Sequence, residues 1–147
     1  MSGEKYKVLI ADDEYWSREK LVRMIAWEEY GLELLAPAEN GEEVLKRAES
    51  EKVDILITDI NMPYVDGVEL VQRIREKYPE VLIFVVSGYD DFEYVKSTMK
   101  MGAINYLLKP VAKMELIQAV SEALDRLYEK KQAEQIEKEN DRKLMLA

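Results

Sequence analysis

The chain of 147 residues has no cysteine, which excludes disulfides, thiolate catalysis and cysteine metal sites and fits a reducing compartment. It has no histidine either, so the commonest metal ligand and general base are missing, and any phosphohistidine must belong to a partner. Positive charge is in deficit. Twenty-one lysines and arginines face 30 aspartates and glutamates, a formal net charge of −9 that repels phosphate backbones and argues against direct nucleic-acid binding. No apolar run approaches the ~18 residues of a membrane span, and the opening MSGEKYKVLIADD lacks a secretory signal. The expectation is a cytoplasmic protein with no membrane association.

What is present is apolar and periodic. At 48% hydrophobic residues the chain can bury one ordinary core without staples. Short apolar runs recur as YKVLIA at 6–11, LELLAPA at 32–38, DILITD at 54–59, VLIFVVS at 81–87 and INYLLK at 104–109. The first, third and fourth are nearly unbroken, as strands covered on both faces should be; the second and fifth are weaker and read as edges. Amphipathic segments lie between them. EYWSREKLVRMIAWEEY carries a stripe of Leu21, Val22, Met24 and Ile25, and GVELVQRIREKY one of Val68, Leu70, Val71 and Ile74. Asn40, Asp66 and Asp91 stand where N-caps are wanted, and Gly31 and Gly102 where left-handed helix ends are. From Met114 a long final helix has a stripe of Leu116, Val120, Leu124 and Leu127 that fades after Tyr128, so its remainder is expected to leave the core.

Strands alternating with helices predict an α/β fold, a doubly wound five-stranded parallel sheet with right-handed crossovers. Ligands of such sheets gather at the carboxyl ends of the strands. Those ends carry Asp12 and Asp13, then Glu39 and Asn40, then Asp59, Ser87, and Lys109 before Pro110. Asp12, Asp13 and Asp59 alone would repel one another unless a cation joined them, and oxygen-only ligands select a hard ion, Mg²⁺ above all. Ser87 and Lys109 suit an anion such as a phosphoryl group. Each element has a plainer explanation when taken singly: helix capping for Asp12-Asp13, a loop acid at Asp59, strand-to-loop turns at Ser87 and Lys109, and a half-buried edge aromatic at Tyr106. Their joint placement at consecutive strand ends favours a site.

The stretches VLIADDE, ILITDINMPYVDG, VVSGYDD and YLLKP resemble the receiver domain of two-component response regulators, a CheY-like, flavodoxin-like fold with strand order 2-1-3-4-5. The likeness covers about residues 5–128. NGEEVL and GYDDFEYVKSTMKMGAINYLLKP are similar to receivers whose regulators carry an AraC-type DNA-binding output domain. The resemblance implies that Asp59 accepts a phosphoryl group from a sensor histidine kinase, with Asp12, Asp13, Asp59 and the Asn61 carbonyl holding Mg²⁺. It implies that Ser87 and Lys109 contact the phosphoryl oxygens, that Tyr106 changes rotamer on activation, and that Pro110 follows a cis bond. Two departures are Ser87, where threonine is commoner, and Val111-Ala112, where an aspartate often caps the last helix.

Residues 1–128 are thus expected to form the receiver and 129–147 a charged helical linker or tail, with a weak dimer-forming helix as the sharper alternative. Output is expected through the face of the fourth helix, fifth strand and last helix, with homodimerisation there or through the C-terminal helix. DNA contact is expected only through an output domain that this sequence does not contain. The expected chemistry is self-phosphorylation and autodephosphorylation rather than conventional turnover. A metal-dependent phosphatase would want a second acid at Asn61, and a nucleotide- or flavin-binding domain a glycine-rich loop in place of ADDEYWS. An inert interaction module would not need Asp59 and Lys109.

Overall fold

A computed structural model describes residues 5–146. In chain order the elements are β1 (Tyr6–Ala11), α1 (Tyr15–Met24), a 3₁₀ turn (Trp27–Tyr30), β2 (Leu32–Leu34), α2 (Gly41–Ser50), β3 (Ile55–Asp59), α3 (Gly67–Lys77), β4 (Leu82–Ser87), α4 (Phe92–Lys100), β5 (Asn105–Leu108) and α5 (Lys113–Leu146). The five strands are parallel in the order β2-β1-β3-β4-β5, the arrangement expected from the resemblance.

Side chains alternate across a strand, so each central strand feeds two cores. Val8, Ile10, Ile57, Phe84 and Val86 meet Leu21 of α1 and Leu116, Val120 and Leu127 of α5. Leu9, Leu56, Ile83 and Val85 meet Val44 of α2 and Leu70, Val71 and Ile74 of α3. All five residues of β3 are buried, whereas the edge strand β5 exposes all but Leu107. The strand that delivers Asp59 is therefore the most enclosed in the sheet.

Two elements differ from expectation. The second strand does not run to 38 but stops at Leu34. Leu35 N–H donates to the Val8 carbonyl at 2.9 Å, but the next donor position is Pro37, which has no N–H, and Ala38 donates to Ile10 instead at 2.8 Å. The first helical segment does not run through to Tyr30. It ends at Met24 because Ile25 turns extended and Trp27 folds back into the core, its Nε1 donating to the Val22 carbonyl at 2.9 Å. Within that stripe Leu21 and Ile25 are buried, and Val22 and Met24 are half-buried.

Asn40 and Asp66 cap α2 and α3, accepting from Glu43 N–H and Glu69 N–H at 2.8 and 2.9 Å. Gly31 and Gly102 have φ of 73° and 103°, as required of helix ends there. Gly67 serves packing. A Cβ on it would come 2.5 Å from the Ile60 Cα, and its N–H donates to the Ile60 carbonyl at 2.8 Å, drawing the loop after Asp59 tight against α3. Helix α5 starts without a capping side chain, the Ala112 carbonyl accepting from Leu116 N–H at 3.1 Å. Its first half is anchored by Leu116, Ala119, Val120, Ala123 and Leu127, with Leu124 half-buried, and residues 131–146 are exposed throughout. No helix among the described residues is long and apolar enough to cross a membrane.

Candidate functional site

The carboxyl ends of β1 and β3 are hydrogen-bonded neighbours in the sheet, Ala11 opposite Thr58, so Asp12 and Asp59 follow on adjacent strands. Asp12, Asp13 and Asp59 each offer a carboxylate oxygen, and these atoms all lie within 4.8 Å of one another. Asp12 and Asp59 are 1% and 3% exposed, while Asp13 stands in solvent. The pocket is thus a buried floor with one open wall.

The two buried acids are held separately. Asp12 Oδ1 accepts from Glu14 N–H at 2.9 Å, and the Asp12 carbonyl accepts from Arg18 Nη1 at 2.9 Å. Asp59 Oδ1 accepts from Asn61 N–H at 3.3 Å, and Asp59 Oδ2 from Lys109 Nζ at 2.9 Å. Lys109 directly follows β5: its N–H donates to the Ser87 carbonyl at 2.8 Å, and its bond to Pro110 is cis. Ser87, at the end of β4, is buried, while Tyr106 on β5 is 48% exposed and stands outward. Glu39 and Asn40 do not join the acids; Asn40 caps α2 and the exposed Glu39 pairs with Arg18 at 3.5 Å.

One atom in this array lacks a partner. Asp12 Oδ2 is buried and makes no hydrogen bond, the Lys109 ammonium lying 3.8 Å away. Burial, and then the charge of Asp59, push the Asp12 carboxyl up to about 6 from an ordinary 3.8, against the pull of its bond to Glu14 N–H. Burial draws Lys109 down, but its hydrogen bond to Asp59 and the charges of Asp59 and Asp12 outweigh it and hold the ammonium above its usual value. An orphaned buried oxygen among three carboxylates, with no imidazole or thiolate ligand beside it, fits a hard divalent cation. A cationic donor across from it fits an anion that such a cation would also bind.

Two residues here escaped the sequence reading. Arg18, 7% exposed, reaches back from α1 to support the Asp12 backbone; a lone arginine one turn into a helix carries no local sign of that reach. Asp91, expected to cap α4, makes no capping bond. Its carboxylate accepts instead from Gly88 N–H at 2.7 Å and from Asn61 Nδ2 at 2.9 and 3.1 Å. A signal was available: Asn40 and Asp66 have glutamate three residues on, completing the capping pattern, whereas Asp91 has Tyr94.

Comparison with known proteins agrees with this geometry. The response regulator receiver domain family matches residues 8–121. The uncharacterized transcriptional regulatory protein YesN of Bacillus subtilis is 38% identical over 122 residues, 83% of this chain and 33% of YesN. The transcriptional regulatory protein DegU of Brevibacillus brevis is 39% identical over 120 residues, 82% of this chain and 50% of DegU. The chain therefore spans half or less of these relatives. Among solved structures, the REC domain of AraT, a response regulator from Geobacillus stearothermophilus, superposes with a TM-score of 0.82 at 39% identity, covering 86% of this chain and 98% of that one. A two component transcriptional regulator AraC from Clostridium phytofermentans gives 0.79 at 32% identity, with 85% and 97% covered. A five-stranded sheet in the order 2-1-3-4-5, an acid cluster at its carboxyl rim and a family match over most of its length agree: this chain belongs to the response regulator receiver domain family.

Proposed function

We propose that Asp59 is the phosphoacceptor and that the site takes a phosphoryl group from the phosphohistidine of a sensor kinase. The observation that carries this reading is the three-acid cluster within 4.8 Å, with Lys109 Nζ 2.9 Å from Asp59 Oδ2. Phosphoryl transfer asks a protein mainly for positioning and charge neutralisation. An Asp59 carboxylate oxygen forms a bond to phosphorus as the phosphorus–nitrogen bond to the donor imidazole breaks, its electron pair staying on that nitrogen. The product is an aspartyl phosphate that water later hydrolyses, so the chain is an acceptor that resets rather than a conventional turnover enzyme. The enclosed strand β3 keeps the acceptor from drifting.

Asp12, Asp13 and Asp59, with the Asn61 carbonyl, would hold Mg²⁺. Bound there, the ion would offset the carboxylate charge and the charge growing on the phosphoryl oxygens. Lys109 supplies a second positive charge and shares its ammonium between Asp59 and the incoming group. Ser87 donates its hydroxyl to a phosphoryl oxygen, and the space this opens receives the Tyr106 ring from its outward position. The phosphoryl group, roughly −1.5 to −2 in charge, biases an existing equilibrium between two arrangements of the face formed by α4, β5 and α5.

Residues 1–128 would then act as the receiver and 129–147 as a helical connection. The names of the curated relatives support a role in transcription, exerted through an output domain of the AraC type, with pairing of two copies through the same face or through the α5 extension. The compartment of a sensor kinase's receiver is the cytoplasm. The test is intact mass after treatment with a small acyl phosphate donor and Mg²⁺. A single phosphoryl addition is expected, lost in Asp59→Asn and diminished when the metal is removed; unchanged mass with both reagents present contradicts the reading.

A further inference from the structure

Asp91 is a buried carboxylate that the acceptor chemistry does not use. It is 7% exposed and immediately precedes α4, and its carbonyl already accepts from Val95 N–H at 2.9 Å, so it occupies the position of a helix cap. The two genuine caps are useful standards. Asn40 and Asp66 both have extended backbone, ψ 170°, and each side chain turns onto its own helix. Asp91 has φ −97° and ψ 18° and turns away from α4. Its two oxygens instead take three bonds, one from Gly88 N–H and two from the Asn61 amide, 30 residues earlier in the chain.

Asn61 is thereby strung between two places. Its backbone N–H donates to Asp59 Oδ1 at 3.3 Å, while its side chain is tied to Asp91. A carboxylate facing α4 cannot keep both bonds to Asn61, so the clasp and the cap compete for the same oxygens. With the clasp closed, the residue at the cap position makes no side-chain bond to the first turn of α4.

We propose that Asp91 is a positioning residue with two alternative partners: it holds Asn61 against the Asp59 pocket as seen here, and it caps α4 when Asn61 lets go. The start of α4 then reports on the loop that follows the acceptor. The consequence for acceptor chemistry rests on the function proposed above; the competition between clasp and cap does not.

The test uses the full chain as wild type, Asn61→Ala, Asp91→Ala and the double variant. Asn61→Ala keeps the backbone carbonyl and removes only the tie. With neither metal nor donor present, hydrogen exchange at Glu93 and Tyr94 is expected to be about five-fold slower in Asn61→Ala than in wild type, because Asp91 Oδ1, released from Asn61, caps the helix while Oδ2 keeps its bond to Gly88 N–H. The slowing should vanish in the double variant. A passive structural bond predicts the reverse, faster exchange once the tie is cut, and faster or unchanged exchange in Asn61→Ala overturns the proposal. In a second arm, Asp91→Ala is expected to weaken Mg²⁺ binding measured by calorimetry about ten-fold, as loss of a supporting partner behind a ligand does. A folded Asp91→Ala protein with wild-type Mg²⁺ affinity overturns the positioning role. If the variants show the exchange pattern but wild-type protein never gains phosphate, the result counts against Asp59 as acceptor and leaves the clasp standing.

Discussion

At the carboxyl rim of the sheet Asp12, Asp59, Ser87 and Asp91 lie buried, and one oxygen of Asp12 has no hydrogen-bond partner. At the amino rim most polar groups close the structure off: Asp54 accepts from Lys7 N–H at 2.8 Å, the Ile83 carbonyl accepts from Ile104 N–H at 2.7 Å, and Arg75 Nη2 reaches the Gly102 carbonyl at 3.1 Å, although the buried Arg75 Nε has no partner. The same strands begin at one rim and end at the other, so composition and burial of the sheet do not account for the contrast. The difference lies in charge. Like charges are gathered at one end, where three carboxylates crowd around one lysine, while at the other end each donor mostly meets an acceptor of its own chain.

Moving charge at either rim should have different consequences. The largest effect is expected from Asp59→Asn, which removes the proposed nucleophile and should abolish phosphoryl addition by an acyl phosphate donor in an intact-mass assay. Lys109→Ala leaves the nucleophile but takes away the cation 2.9 Å from it. Its single-turnover rate with the same donor should fall about 10²-fold, the usual cost of losing one donor that stabilises transition-state charge.

Asp12→Asn should have the opposite sign in stability. The Asp12 carboxyl titrates at about 6 in the fold against 3.8 in its ordinary state, so the folded form prefers it protonated. That contribution is intact below pH 4 and is lost as pH rises through about 6, a loss on the order of 2–3 kcal/mol in metal-free protein. Asparagine keeps the acceptor for Glu14 N–H and has no charge to lose. Chemical denaturation should therefore find metal-free Asp12→Asn more stable than wild type at pH 7 and equal to it at pH 4, with most of the stabilisation by added Mg²⁺ gone. At the opposite rim Asp54→Ala should cost about 1 kcal/mol by removing the Lys7 acceptor and leave the phosphorylation rate unchanged. Smallest of all, removal of residues 131–146, which are exposed throughout, should alter receiver stability by less than about 0.5 kcal/mol in the same assay.

Much of the fold was legible because parallel strands buried on both faces leave long apolar runs, and Val8–Ala11, Ile55–Ile57 and Ile83–Val86 are such runs. The acids could be found because a parallel sheet gathers its strand ends at one rim, so order along the chain was enough to bring Asp12, Asp59 and Lys109 together. The edges were harder. β2 is short for a reason visible in the sequence, Pro37, but its effect depends on which N–H groups face β1, and that is a matter of register. Trp27 looked like one more residue of an amphipathic helix; only its place in the core explains why the helix stops. Asp91 misled because capping is a local habit that a tertiary partner can override, and that partner, Asn61, lies on another strand's loop.

On the proposed function, the carboxyl rim delivers a phosphoryl group to one carboxylate out of the three gathered there. Borohydride reduction after treatment with an acyl phosphate donor and Mg²⁺ converts an aspartyl phosphate to homoserine, which peptide mass mapping locates. Homoserine at position 59 alone is the expected result. Homoserine at 12 or 13, or its formation in the Asp59→Asn protein, would contradict it.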